Sequence, residues 1–174
     1  MHVLCVGMTG SGKTTLGKQL LKAYKSKGIN SIVLDPLCDP DWQADFQTDN
    51  SDDFLDAMYK SRQCALFVDE SGAAIGRYAG PMAVVATQSR HFGHKAHFFT
   101  QRGAQLDRTV RDQCSILFVF RVGKMDAKIL SEEFGYSELM QANELRPGEC
   151  FKVTRFSAPV KINVFANSDF SGHT

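Results

Sequence analysis

The chain reads as an α/β protein, a three-layer sandwich with helices on both faces of a mainly parallel sheet and a C-terminal β-hairpin. Three observations carry that reading. Apolar runs of strand length alternate with segments of helical spacing along most of the 174 residues, the pattern that builds parallel sheets through right-handed crossovers. The runs Cys64-Ala65-Leu66-Phe67-Val68 and Ile116-Leu117-Phe118-Val119-Phe120 are continuous rather than alternating, as strands buried on both faces are. The first such run, Val3-Leu4-Cys5-Val6, leads through a glycine-rich turn directly into a helix.

The turn itself is informative. Gly7-Met8-Thr9-Gly10-Ser11-Gly12-Lys13-Thr14 satisfies G-x-x-x-x-G-K-[ST], the phosphate-loop pattern of nucleoside-triphosphate-binding proteins. Glycines let backbone N–H groups wrap the phosphates, and the following helix presents its positive N-terminus to the same anion. Thr9, Gly10, Ser11, Gly12, Lys13, Thr14 and Thr15 are therefore the expected nucleotide-binding set, with ATP as the expected nucleotide. Lys13 is expected to reach the β- and γ-phosphates, and the Thr14 hydroxyl to bind Mg²⁺.

The remaining elements follow in order. Leu16, Leu20, Leu21 and Tyr24 recur at helical spacing and Gly28 ends the helix. Ser31-Ile32-Val33-Leu34-Asp35 is a second strand, stopped by Pro36. An acidic, proline-punctuated loop follows, and Ser51-Asp52-Asp53 opens a helix through Tyr59. After the Cys64–Val68 run, Pro81 is expected to open a helix that carries Met82 to Thr87 towards Arg90, with Gly93 as its stop. A strand over Ala96–Thr100, a helix over Leu106–Arg111, the Ile116–Phe120 strand and a helix over Ala127–Phe134 come next. Cys150–Thr154 and Val160–Phe165 make the hairpin. The length fits one domain, 1–174, with a core over about 2–122 and a helix and hairpin extension over about 123–167.

The apolar strand before Asp69 ends where the second half of a nucleotide site is expected, and Asp69 is the expected Mg²⁺ partner. Glu70 follows directly, a carboxylate placed to orient or deprotonate a water attacking the γ-phosphate. Asp69-Glu70-Ser71-Gly72 also spells D-x-x-G, a γ-phosphate-sensing pattern of GTPases, although no Asn-Lys-x-Asp motif follows a later strand. Gln101, just past the Ala96–Thr100 strand, is the third element. If that strand lies between the phosphate-loop strand and the Asp69 strand, the Gln101 amide stands beside the γ-phosphate.

Together, Gly7 to Thr14, Phe67-Val68-Asp69-Glu70, Ser89-Arg90-His91-Phe92-Gly93-His94 and Phe98-Phe99-Thr100-Gln101-Arg102 resemble the FtsK/HerA superfamily of ATP-driven nucleic-acid translocases. They look most like its viral genome-packaging branch, with the zonula-occludens-toxin-like assembly ATPases of filamentous phages as relatives. The resemblance implies a P-loop NTPase sheet with an additional strand, Glu70 as the catalytic glutamate and Gln101 as the sensor. It also implies an arginine supplied across a subunit interface. Arg90, Arg102, Arg108 and Arg111 fall in the relevant stretch; Arg90 is favoured and Arg111 is second. The implied partners are double-stranded DNA, held without sequence preference, further copies in a ring of hexamer type, and capsid or membrane proteins of a virion. The implied location is the host cytoplasm or the packaging vertex of the virion. A phage assembly ATPase acting on protein and a small-molecule P-loop kinase are the alternatives.

Composition narrows the classes further. The apolar start is too short for a secretory leader, and no run approaches the roughly 18 apolar residues of a membrane span. The five cysteines form no C-x-x-C pair and read as reduced thiols of a cytosolic protein. Net charge is +1, yet residues 35–56 hold eight aspartates and no Lys or Arg, while residues 77–128 carry nine Lys/Arg against three Asp. That basic stretch suits either nucleic acid or a solvated face. His91, His94 and His97 invite a metal reading, but Gly93 breaks the helical spacing, so solvated or turn-capping histidines are expected. Trp42 either stacks on a base or covers the edge of the core.

Overall fold

The computed structural model describes residues 2–69, 75–102, 106, 108–154 and 157–166, without the side chains of 75–79 and 81–82. Its elements in chain order are β1 (His2–Val6), α1 (Lys13–Ser26), β2 (Ser31–Leu34), β3 (Phe46–Thr48), α2 (Ser51–Lys60), β4 (Ala65–Asp69) and α3 (Ile75–Gln88). They continue as β5 (Lys95–Thr100), α4 (Arg108–Gln113), β6 (Cys114–Val119), α5 (Lys124–Phe134), β7 (Glu149–Thr154) and β8 (Ser157–Asn163). The sheet has the order β3-β2-β4-β5-β1-β6-β7-β8. Pairings from β3 through β6 are parallel, and β7 and β8 are antiparallel. This is the α/β sandwich with a terminal hairpin that the sequence predicts.

Alternation along the central strands divides the core into two layers. One layer combines Leu4, Val6, Leu66, Val68 and Phe98 with Phe54, Val85, Ala127 and Leu130 from the helices on that side. The other combines Val3, Cys5, Val33, Phe67 and Phe99 with Leu16, Leu20, Leu21 and Tyr24 of α1 and with Trp42. Both faces of β1, β4 and β5 are thus covered, which explains why their sequences run apolar without alternation.

Two elements depart from the sequence expectation. β3 is a three-residue strand inside the acidic loop, parallel to β2; its single large apolar residue, Phe46, sets up no periodicity. α3 begins at Ile75 rather than at Pro81 and continues through position 81. A proline there forfeits one i→i−4 hydrogen bond. Val85 and Ala86, one turn later and fully buried in the core, supply packing that offsets the loss.

Trp42 is core, 1% exposed. Its ring centroid lies 5.5 Å from that of Phe67 and 6.1 Å from that of Phe99. A Cβ on Gly17 would stand 2.6 Å from Trp42 Cη2 and 2.9 Å from Phe99 Cζ, so only glycine lets α1 settle onto this aromatic layer. The histidines also differ from expectation. His91 is exposed, but His94 and His97 are buried. His94 does cap a turn, taking the Cys64 N–H at Nδ1 (2.9 Å) and lying 3.0 Å from the Met58 carbonyl through Nε2. His97 stacks on Phe67 at 4.5 Å and lies within hydrogen-bonding distance of Tyr24 Oη and the Leu66 carbonyl. Among the described residues, no His, Cys, Asp or Glu group could hold a metal ion by itself. All five cysteines are free and only Cys38 is exposed.

Burial holds His97 neutral, lowering its pKa from 6.5 to about 3, and lowers that of His2 to about 4, where Arg90 also contributes. The unfolded chain therefore binds more protons than the native one below pH 6.5. Stability from these groups is complete above that pH and is lost as pH falls toward the folded values, by about 1.4 kcal/mol per pH unit for each histidine. Urea midpoints should fall between pH 6.5 and about 5, above most carboxylate titration. In His97→Gln the slope should shrink by about one proton's worth. Separately, Gly17→Ala should cost about 1–3 kcal/mol through overpacking, read in the same titration at pH 7.

Candidate functional site

The phosphate loop leaves the sheet between β5 and β6. The Gly7 N–H donates to the Thr100 carbonyl (3.1 Å) and the Met8 N–H to the Arg121 carbonyl (2.8 Å). Two positions demand glycine for their backbone: Gly10 at φ 74° and Gly12 at φ 112°. Gly12 is the N-cap of α1, and the first turn carries no acidic residue and no side-chain cap. Its free N–H groups, with the helix dipole behind them, face the position of the expected phosphates.

Lys13 is only 8% exposed, and its Nζ donates to the Gly7 (2.6 Å) and Met8 (3.0 Å) carbonyls. The ammonium is therefore held over the loop. The Thr14 hydroxyl donates to Asp69 Oδ2 at 3.2 Å, so the two residues predicted to share a metal already touch across 55 positions of sequence. Burial disfavours both charges in this site. It lowers the Lys13 pKa, against the pull of Asp69. It raises that of Asp69, and the nearby Asp35 carboxylate raises it further, against the Thr14 hydrogen bond and Lys13.

Asp35 is 3% exposed and follows β2 as Asp69 ends β4. It accepts the N–H groups of Leu37 (2.9 Å) and Asp39 (2.7 Å), turning the chain after the strand. Lys18 donates to Asp39 at 2.7 Å. Thr14, Thr15, Lys18, Asp35, Asp39 and Asp69 line a cavity of about 320 Å³. Its hydroxyl and carboxylate oxygens are hard donors of the kind that suit Mg²⁺, and Thr14 and Asp69 are the residues that would hold it.

Gln101 lies where the sequence argument requires. β5 is inserted between β4 and β1, with Val6 opposite Thr100 and Asp69 opposite Phe99. The residue after Thr100 therefore emerges between the phosphate loop and Asp69, and Gln101 is half-buried there. Glu70 lies outside the described residues. Arg90 and Arg111 are not brought to this site. Arg90 precedes β5, donates to His2 Nε2 (3.3 Å) and the Gln113 carbonyl (2.7 Å), and so sits at the opposite end of the parallel strands. Arg111, just before β6, pairs with Glu133 at 2.9 Å. Arg102 and Arg121 instead follow β5 and β6 on the phosphate-loop edge, and both are exposed.

Sequence reasoning missed the support on the far side of the loop. The Gly148 N–H donates to the Ser11 carbonyl (2.9 Å), the Val164 N–H to the Gly148 carbonyl (2.8 Å), and Gln19 Nε2 to the Val164 carbonyl (2.8 Å). The buried Ser11 hydroxyl has no hydrogen-bond partner among the described residues. The only signal available was the glycine at 148, directly before β7. Asp35 was legible as the aspartate ending a second apolar strand, parallel to the one that ends in Asp69.

No family model and no curated protein matches the chain. Solved structures do. The genome packaging NTPase B204 of Sulfolobus turreted icosahedral virus 2, in complex with ATP-gammaS, superposes with a TM-score of 0.75 at 18% identity, over 93% of this chain and 95% of B204. The chain has that fold. The cytoplasmic domain of the type VII secretion ATPase EccC of Thermomonospora curvata gives a TM-score of 0.68 at 16% identity, over 93% of this chain but 25% of EccC. The pCW3 conjugation coupling protein TcpA gives 0.67 at 16% identity, over 93% of this chain and 59% of TcpA. The structural neighbours are thus a genome packaging NTPase, a conjugation coupling protein and a secretion ATPase, and at these identities they establish the shared fold.

Removing the Lys13 ammonium takes away a charged donor to phosphate. Lys13→Ala should weaken ATP binding by about 10- to 100-fold, measured by calorimetric titration. Thr14→Val should weaken it with Mg²⁺ present and leave it unchanged in EDTA.

Proposed function

We propose that the protein is an Mg²⁺-dependent ATPase motor that translocates double-stranded DNA, packaging a viral genome into a preformed capsid. The observation that carries this reading is the insertion of β5 between β1 and β4, which puts Gln101 between the phosphate loop and Asp69. A polar amide there can hydrogen-bond a γ-phosphate oxygen and a water together.

In this reading the loop amides and Lys13 bind the triphosphate, and Thr14 and Asp69 hold Mg²⁺. Bound there, the metal would offset negative charge on the triphosphate. Glu70, directly after Asp69 in the chain, takes a proton from the attacking water. An arginine from a neighbouring copy in a ring of hexamer type completes the charge in the transition state. Arg90 is exposed at the edge opposite its own phosphate loop, where it serves a neighbour rather than its own site; Arg111 shares that edge. DNA would be held by its phosphates, without base readout. The fold shared with B204, a genome packaging NTPase solved with ATP-gammaS, supports this assignment. The fold shared with the secretion ATPase EccC favours a second reading, an assembly or secretion ATPase acting on protein.

Steady-state ATP hydrolysis with and without double-stranded DNA separates the two. Stimulation by DNA, falling by about 10²-fold or more in Glu70→Gln, is the expected outcome. Hydrolysis indifferent to DNA would move the assignment to a protein substrate, and a preference for GTP in a parallel assay would overturn the ATPase reading.

A further inference from the structure

The sheet order gives the bound nucleotide a direction. Thr14 and Asp69, the metal-holding pair, lie on the β4 side of β1. The γ end of a triphosphate on the loop faces them, so the nucleoside end leaves toward the β6, β7 and β8 side. That side is where the C-terminal chain closes against the loop. A Cβ on Gly12 would meet Val164 Cγ2 at 3.2 Å and Gly148 Cα at 3.4 Å. A Cβ on Gly148 would lie 2.4 Å from Phe165 Cδ2, so the Phe165 ring rests on the glycine whose N–H binds Ser11.

Phe165 itself is 59% exposed. A single exposed apolar side chain is ordinary, so the informative observation is the place of this ring beside the phosphate loop rather than its exposure. Its position is fixed rather than incidental. The Val164 carbonyl is held by Gln19 of α1, the Val164 N–H donates to Gly148, and the Phe165 N–H donates to Asn163 Oδ1 at 2.9 Å. The backbone that carries the ring is therefore tied to both the loop and the helix that bind phosphate.

We infer that Phe165 is the platform on which the nucleobase stacks, making the turn after β8 the base subsite of this nucleotide site. The inference rests on the phosphate-loop reading above and adds the group that recognises the other end of the ligand. A flat apolar ring grips any base by its π-face, so Phe165 supplies affinity for a nucleoside over bare phosphate rather than a choice between adenine and guanine. The exposed ring bears little of the fold, and its removal leaves Val164 and Gly148 in contact with the loop.

The test compares two ligands, ATP and inorganic tripolyphosphate, which lacks base and sugar, by calorimetric titration in Mg²⁺ buffer. Phe165→Ala should lose about tenfold or more in affinity for ATP and keep that of wild type for tripolyphosphate, while Phe165→Trp should retain ATP affinity. Equal ATP affinity in Phe165→Ala and wild type would overturn the base platform alone. Parallel loss of both ligands would also overturn it, by showing that the ring only props the loop. If wild type binds neither ligand, the phosphate-loop reading fails and the base subsite with it.

Discussion

A buried ammonium at the start of α1 and a half-buried carboxylate at the end of β4 are the constraint around which this molecule is organised. Lys13 and Asp69 both lose hydration, each pushed toward its neutral form by burial and pulled back by the other. The fold has to hold them close, and it does so with the order β4-β5-β1 and the Thr14 to Asp69 hydrogen bond. In the proposed function, a triphosphate with its metal would add anionic oxygens beside Lys13 and a cation beside Asp69.

The apolar parts of the chain serve this arrangement. Beneath α1, the layer of Trp42, Phe67, Phe99 and His97 is close enough that Gly17 has no room for a methyl group. That contact fixes the height of the helix whose N-terminus carries the loop. On the other side, Gly148 and Val164 bind the loop and α1 through backbone hydrogen bonds. The hairpin is a brace for the phosphate loop as well as a sheet edge. The loop is therefore held from β5, from β6 and from the C-terminal chain, three regions far apart in sequence.

Elements with strong local signals were legible from the residues alone. The phosphate loop, the strand ending in Asp69, and the helix stop at Gly28 each rest on chemistry confined to a few adjacent positions. Insertion of β5 beside β1 was stated as a condition, and the pairing of Val6 with Thr100 meets it. What was not legible depends on distant partners. The start of α3 before Pro81 reflects core packing at Val85 and Ala86. The burial of His94 and His97 follows from neighbours on β4, α1 and α2. The sequence favours Arg90 and Arg111 over Arg102, but they precede strands that Arg102 and Arg121 follow, and that difference puts them at the opposite edge. Ser11 and Gly148 meet through a hydrogen bond that no local motif encodes.

In the proposed function this site delivers the γ-phosphate to water. That delivery is tested most directly by turnover of ATP in ¹⁸O-enriched water, with mass analysis of the inorganic phosphate released. The expected result is one solvent oxygen in each phosphate, formed by the wild type and abolished in Lys13→Ala. Phosphate transferred to an added small-molecule acceptor, or labelled phosphate formed equally by Lys13→Ala, would contradict it.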